Sequence, residues 1–126
     1  MITEGIKGNS EKTVQPSDTA LRHGSGSVEV FATPAMIAMM ENCADKSLKP
    51  FLPEGSITVG IKINATHNKA TPVGEKVFCN SEVTEVEGRK IVFKITCCDE
   101  HGIIGEAHHE RFIVNKEKFM AKLQKA

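Results

Sequence analysis

Thr33, Glu41 and His67 combine reactive side chains with positions that a fold could bring together. Glu41 is a carboxylate set into the otherwise apolar run Val30-Phe31-Ala32-Thr33-Pro34-Ala35-Met36-Ile37-Ala38-Met39-Met40-Glu41. A half-desolvated carboxylate suits proton transfer or nucleophilic attack. His67 closes a stretch of alternating apolar residues, where an imidazole can move a proton near neutral pH. Thr33 supplies a hydroxyl at an expected helix start, where free N–H groups and the helix dipole stabilise developing negative charge. Gly60, in mid-strand, adds a point where backbone or ligand can approach closely. Each residue also has a plain structural reading: a solvated helix-edge glutamate, a hydrogen-bonded core histidine, an N-cap threonine. For Glu41 and His67 taken singly, the plain reading carries more weight.

The elements that must position these residues follow from periodicity and turn chemistry. Thr33 before Pro34 predicts an N-cap with proline at the first helical position. Apolar residues at helical spacing then carry the helix to Asp45, gathering Met36, Ile37, Met39, Met40, Cys43 and Ala44 on one face with Glu41 at its border. From Ser56 the pattern becomes strict alternation, with Ile57, Val59, Ile61, Ile63, Ala65 and His67 forming the apolar set of a half-buried strand. Thr71-Pro72-Val73-Gly74 turns the chain into a strand from Glu75 to Glu85. A three-residue loop, Val86-Glu87-Gly88, is expected to lead into Lys90 to Cys98 and to pair Val83 with Ile91 and Val77 with Cys97. Ile104 to Asn115 reads as the last strand, and Lys116 to Lys125 as a short basic helix. Upstream, Met1 to Ser10 reads as frayed, Glu11 to Gln15 as a strand, and His23 to Ser27 as a flexible loop. The class is therefore α+β. A sheet around one helix covers it on one side only, so the other sheet face is expected to need a partner, and a homodimer follows.

Composition narrows the function classes. At 126 residues the chain is expected to be one domain over its whole length. Lys plus Arg and Asp plus Glu number 16 each, which gives no electrostatic footprint for nucleic acid. The longest apolar run, Ala35 to Met40, is far short of a membrane span, and no signal-type segment precedes it, so a cytoplasmic location without membrane association is expected. The four cysteines lack a metal-type or secreted disulfide spacing and read as reduced, buried filler. His108 and His109 are adjacent on a strand and point to opposite faces, so no metal site is expected. Tyr and Trp are absent. A pocket must then be built from Phe, Met and aliphatic residues, which favours an acyl ligand over a stacked base.

The helix motif Phe31-Ala32-Thr33-Pro34-Ala35-Met36-Ile37 ending in Glu41, the strand Thr58-Val59-Gly60 leading to His67, and Ala70-Thr71-Pro72 together resemble hotdog-fold thioesterases. Within them the match is to the fluoroacetyl-CoA thioesterase-like group. It continues through Val86-Glu87-Gly88-Arg89, Phe93, Asp99, Gly102-Ile103-Ile104-Gly105 and His109-Glu110-Arg111-Phe112, and so spans Thr13 to Val114. The resemblance implies a hotdog fold, a long helix wrapped by an antiparallel sheet, dimerised, with acyl-CoA bound near the subunit interface and no cofactor. It implies Thr33, Glu41 and His67 as the catalytic set. Glu41 would be nucleophile or general base, His67 would assist proton transfer and the leaving thiolate, and Thr33 would orient carboxylate or substrate. It implies Gly60 against the acyl group and Arg111 near the site. Phe31 is counted among the substrate contacts, as is Lys69, which stands either in solvent or against a CoA phosphate. The fluoroacetyl specialist carries aromatic residues ahead of the helix where Arg22 to Ser27 here is Gly/Ser-rich, so fluoroacetate specificity is not implied. The implied reaction is hydrolysis of a small or medium acyl-CoA to the free acid and CoA. The alternative is a non-catalytic acyl-CoA sensor or carrier.

Overall fold

The helical spacing of Met36, Met39, Met40, Cys43, Ala44 and Leu48 buries one side of the longest helix. A computed structural model describes residues 1–124 of the chain. In it α1 is a single turn, Ala20–His23, and α2 is Thr33–Leu48. The helix runs almost a turn beyond the expected end at Asp45. It stops only where Pro50 enters the short 3-10 turn Lys49–Phe51. The start also differs from expectation. Ala32 is the N-cap, Thr33 is already helical, and the Thr33 hydroxyl caps nothing.

Five strands form one sheet: β1 (Lys7–Thr13), β2 (Ser56–His67), β3 (Lys76–Glu87), β4 (Lys90–Asp99) and β5 (Gly102–Asn115). Their order is β1-β3-β4-β5-β2 and every neighbour is antiparallel. Val77, Cys79, Val83, Phe93, Ile95 and Ile104 line the inner face and pack with α2 into one core. The architecture is α+β, a long helix wrapped by an antiparallel sheet, as expected. α3 (Lys116–Gln124) follows β5, while Lys125 of the expected tail helix lies outside the described residues. Cys43, Cys79 and Cys97 are buried free thiols and Cys98 is half-buried. No helix among the described residues is long and apolar enough to cross a membrane.

Several local expectations fail for identifiable reasons. Lys7 to Ser10 is not frayed. It pairs with β3, and Gly8 permits this because a Cβ there would stand 2.7 Å from the Ser47 Cβ of α2. The β3–β4 connection is a two-residue Gly88-Arg89 turn with Gly88 at φ +60°, and Glu87 pairs with Lys90. A bulge between Val83 and Glu85 then resets the register, so Val83 pairs with Phe93 and Cys79 with Cys97, rather than Val83 with Ile91. With that bulge Val77, Cys79, Val83, Phe93 and Ile95 all stay on the inner face.

β2 carries the break that matters most. Gly60 pairs with Arg111, but the register shifts before Lys62 pairs with Glu110, leaving Ile61 as the extra, exposed residue. Thr58 and Gly60 therefore face α2 before the bulge, and Ile63, Ala65 and His67 after it. Simple alternation had put Gly60 on the outer face. The outer sheet face places Lys7, Glu82, Lys94 and His108 side by side across four strands, all exposed. That row is wettable. What β2 leaves unpaired is its long outer edge.

Candidate active site

One cluster forms where β2 ends against the start of α2. Thr33 Oγ1 lies 2.8 Å from His67 Nδ1. Phe31, fully buried, meets the imidazole edge-on, with ring centroids 6.5 Å apart and planes at 78°. It thus wedges His67 from within the core rather than lining open space. Burial lowers the His67 pKa, with the Lys69 backbone partly offsetting this, so the ring is neutral at neutral pH. Its Nε2 is buried and has no hydrogen-bond partner. The chain after His67 is tied down by Asp99 at the end of β4. Asp99 Oδ2 accepts from Lys69 Nζ (2.6 Å) and from Thr71 Oγ1 (2.9 Å), while Oδ1 accepts from the His101 N–H (2.8 Å). The Thr71 carbonyl in turn accepts from the Phe31 N–H at 2.8 Å, so one buried carboxylate braces the segment after His67 and, through it, the segment before Thr33. Lys69 is thus engaged by Asp99, with its side chain still 38% exposed.

A second cluster surrounds Gly60. A Cβ on Gly60 would lie 2.9 Å from Glu41 Oε2, 3.4 Å from Arg111 Nη1 and 3.4 Å from His109 Cε1. Glu41 is half-exposed and makes no hydrogen bond among the described residues. It stands beside Arg111 without an ion-pair contact. Arg111 is buried and held on three sides. Its Nε donates to Thr58 Oγ1 (2.8 Å), Nη2 to the Thr58 carbonyl (3.0 Å) and more loosely to Asp45 Oδ1 (3.4 Å), and Nη1 to His109 Nε2 (3.1 Å). Thr58 Oγ1 donates to Asp45 at 2.7 Å, closing the network. Burial lowers the Arg111 pKa while Asp45 and Glu41 raise it. A cleft of about 400 Å³ lined by Asp45, Lys49, Leu52, Pro53 and Thr58 opens beside this network. A larger cavity of about 520 Å³ lies under α3 and touches none of these groups.

Within one chain the two clusters are distinct. Gly60 and His67 are seven positions apart on β2, about 20 Å at strand rise, and Thr33 and Glu41 are eight apart on α2, about 12 Å at helical rise. Thr33 and His67 come together, and Glu41, Gly60 and Arg111 come together. Sequence reasoning missed Asp45, Thr58 and His109. Asp45 stands one helical turn after Glu41, and His109 and Arg111 share a strand face, so spacing carried a signal. Among the described residues no group of three or more His, Cys, Asp or Glu side chains could hold a metal.

The pattern of the fluoroacetyl-CoA-specific thioesterase family matches residues 14–117. The fluoroacetyl-CoA thioesterase of Streptantibioticus cattleyicolor is 38% identical over 96 residues, covering 76% of this chain and 69% of that protein. A solved fluoroacetyl-CoA thioesterase structure superposes with a TM-score of 0.93 at 30% identity, covering 99% of this chain and 97% of that one. A Thermus thermophilus hypothetical protein described as a thioesterase superfamily member gives 0.91 at 28% identity, covering 99% and 93%. The chain belongs to the fluoroacetyl-CoA-specific thioesterase family: it is an acyl-CoA thioesterase of the hotdog fold.

Proposed function

We propose that this protein hydrolyses small or medium acyl-CoA thioesters in the cytoplasm. Each active site would be assembled in a homodimer from Glu41, Gly60 and Arg111 of one subunit and Thr33 and His67 of the other. The observation that carries this reading is the open cradle at Gly60, where an unbonded carboxylate and a guanidinium surround a point that lacks a side chain. The separation of that cradle from the Thr33–His67 pair supports the shared site. Antiparallel pairing of two β2 edges about a two-fold at Asn64 would set Ile63 opposite Ala65. With Ile61 as the extra residue, it would set Gly60 opposite His67 of the partner subunit. All these residues lie on the inner face, so the pairing respects the pleat only because β2 is bulged.

At such a site Glu41 attacks the thioester carbonyl or activates a water that does, and Arg111 opposes the negative charge that develops on the carbonyl oxygen. The Thr33 hydroxyl, 2.8 Å from His67 Nδ1 on the exposed side of the ring, would work with the imidazole to pass a proton to the departing sulfur. The net reaction adds water across the C–S bond, and the proton taken from water ends on the CoA thiol. Relatives support the substrate class, since one solved relative was obtained with fluoroacetate and CoA. The segment ahead of α2 contains no aromatic residue from Arg22 to Val30 and exposes Leu21 and Val28, which favours a broader acyl range than fluoroacetyl. Free thiols at Cys43, Cys79, Cys97 and Cys98 fit a reducing compartment.

The test is thiol release over a chain-length series of acyl-CoAs, with Glu41→Gln as the control. Release by the wild type, reduced at least about a hundredfold in the variant, is expected. Full activity in Glu41→Gln would sink the role given to Glu41. Tight acyl-CoA binding without release by the wild type would favour the sensor or carrier reading.

A further inference from the structure

We infer that His109 is a positioning residue of this hydrolase, which acts by holding the Arg111 guanidinium against the Gly60 cradle. The inference rests on the reading of Glu41 and Arg111 given above and extends it to a group two positions before Arg111 on β5, whose Cε1 borders the same cradle. His109 is completely buried in the inner face of β5, with its ring tilted against Phe93 at a centroid distance of 5.9 Å. Its two nitrogens have fixed and opposite duties. Nδ1 lies 2.8 Å from the Lys62 carbonyl, which can only accept, so Nδ1 carries the proton. Nε2 lies 3.1 Å from Arg111 Nη1, which can only donate, so Nε2 is the lone pair. Both bonds exist only for the neutral ring in this one tautomer.

The partners of those bonds give the residue its purpose. Lys62 is the first paired residue after the β2 bulge, and that bulge is what turns Gly60 to the inner face beside Glu41. Arg111 Nη1 is the guanidinium nitrogen nearest that same point. The imidazole therefore spans from the bulge to the cation and fixes their separation. Thr58 and Asp45 hold Nε and Nη2, and His109 is the group that holds Nη1. Without it the guanidinium keeps its remaining tethers but can pivot about them, and its charge no longer faces the carbonyl oxygen at a fixed distance. Catalytic groups misplaced by a fraction of an ångström to an ångström lose rate without losing substrate affinity.

His109→Phe and His109→Gln separate this from a packing role. Phe fills the same space beside Phe93 and removes both hydrogen bonds. Gln restores an acceptor within reach of Arg111. We expect His109→Phe to remain folded, with kcat down about tenfold to a hundredfold and KM within about threefold of wild type. We expect His109→Gln to recover to within about fivefold of the wild-type kcat. Wild-type kcat in His109→Phe overturns the inference, and so does an equal loss in both variants that follows their loss of thermal stability. If Glu41→Gln also proves active, the reading of the site fails. If Glu41→Gln is inactive while His109→Phe is unimpaired, only the role of His109 fails.

Discussion

The Thr33 hydroxyl points to His67 Nδ1, 2.8 Å away and 34 residues along the chain, and not to the free N–H groups of its own helix. Ala32 leaves the helix start without a side-chain cap, and the threonine is thereby spent on orienting an imidazole.

Thr33→Ala should then lower kcat while leaving the fold intact. One neutral hydrogen bond amounts to about 1 kcal/mol, roughly a fivefold loss of rate. Thr33 is exposed and caps nothing, so stability should stay within about 0.5 kcal/mol of wild type. An N-cap threonine would instead cost about 1 kcal/mol on substitution. Thr33→Ser should retain most activity. Thiol-release kinetics beside urea unfolding of both variants decide the matter, and a destabilised but fully active Thr33→Ala would restore the capping role.

Gly60→Ala tests the cradle from the other side. Its backbone is outside the left-handed region, so alanine is conformationally free to replace it. The added methyl would stand 2.9 Å from Glu41 Oε2, and the flexible end of that side chain must swing away. Activity should fall by about tenfold or more with melting temperature unchanged or slightly raised, because glycine weakens a strand interior. Undiminished kcat in a folded Gly60→Ala protein would show that the reacting groups do not meet there.

How far the sequence reveals this site depends on which physical rule governs each part. Periodicity exposed α2 and the long β2, and the resemblance supplied Thr33, Glu41 and His67 as a set. Periodicity could not expose the bulge at Ile61, because a single unpaired residue leaves the apolar alternation of β2 outwardly intact while inverting which half faces inward. Alternation therefore puts Gly60 on the wrong face, although a mid-strand glycine still marks a point of close approach. Lys69 looked free because its partner Asp99 is thirty residues away and belongs to another strand. Lys7 to Ser10 looked frayed because a polar stretch with a glycine carries no strand signal until β3 pairs with it. Two adjacent strand histidines cannot chelate together, and that spacing gives no sign that His109 alone contacts the arginine.

Asp99→Asn should loosen the segment after His67 and remove a pH dependence of stability whose direction is defined. Burial alone would raise the Asp99 pKa, but the bonds from Lys69, the His101 N–H and Thr71 outweigh it and hold the value below that of an ordinary aspartate. A lowered folded pKa means the carboxylate stabilises the fold above its unfolded value, about 4, and that this is lost as pH falls through the folded value. The amide keeps only one acceptor oxygen, so its N–H donors would face either the Lys69 and Thr71 donors or the His101 N–H. Asp99→Asn should therefore cost about 2 kcal/mol at pH 7, with the gap to wild type closing below about pH 4. Urea unfolding across that range measures it, and a constant gap at all pH values would remove the carboxylate charge from the account.

Mixing two inactive variants tests whether the active site is shared between subunits. Glu41→Gln spoils the cradle and keeps the Thr33–His67 pair, whereas His67→Ala does the reverse. If each site takes Glu41 from one subunit and His67 from the other, a mixed dimer contains one site with both defects and one with neither. Equimolar variants, unfolded and refolded together, should then form about half mixed dimers, each with one working site, and regain about a quarter of the wild-type rate. If both residues of a site came from the same chain, every site in the mixture would carry one defect and no activity would return. The roughly 20 Å between Gly60 and His67 along β2 favours the first result. The same experiment with Glu41→Gln and Gly60→Ala should give no recovery, because those two positions belong to the same cradle and each chain would bring a damaged one.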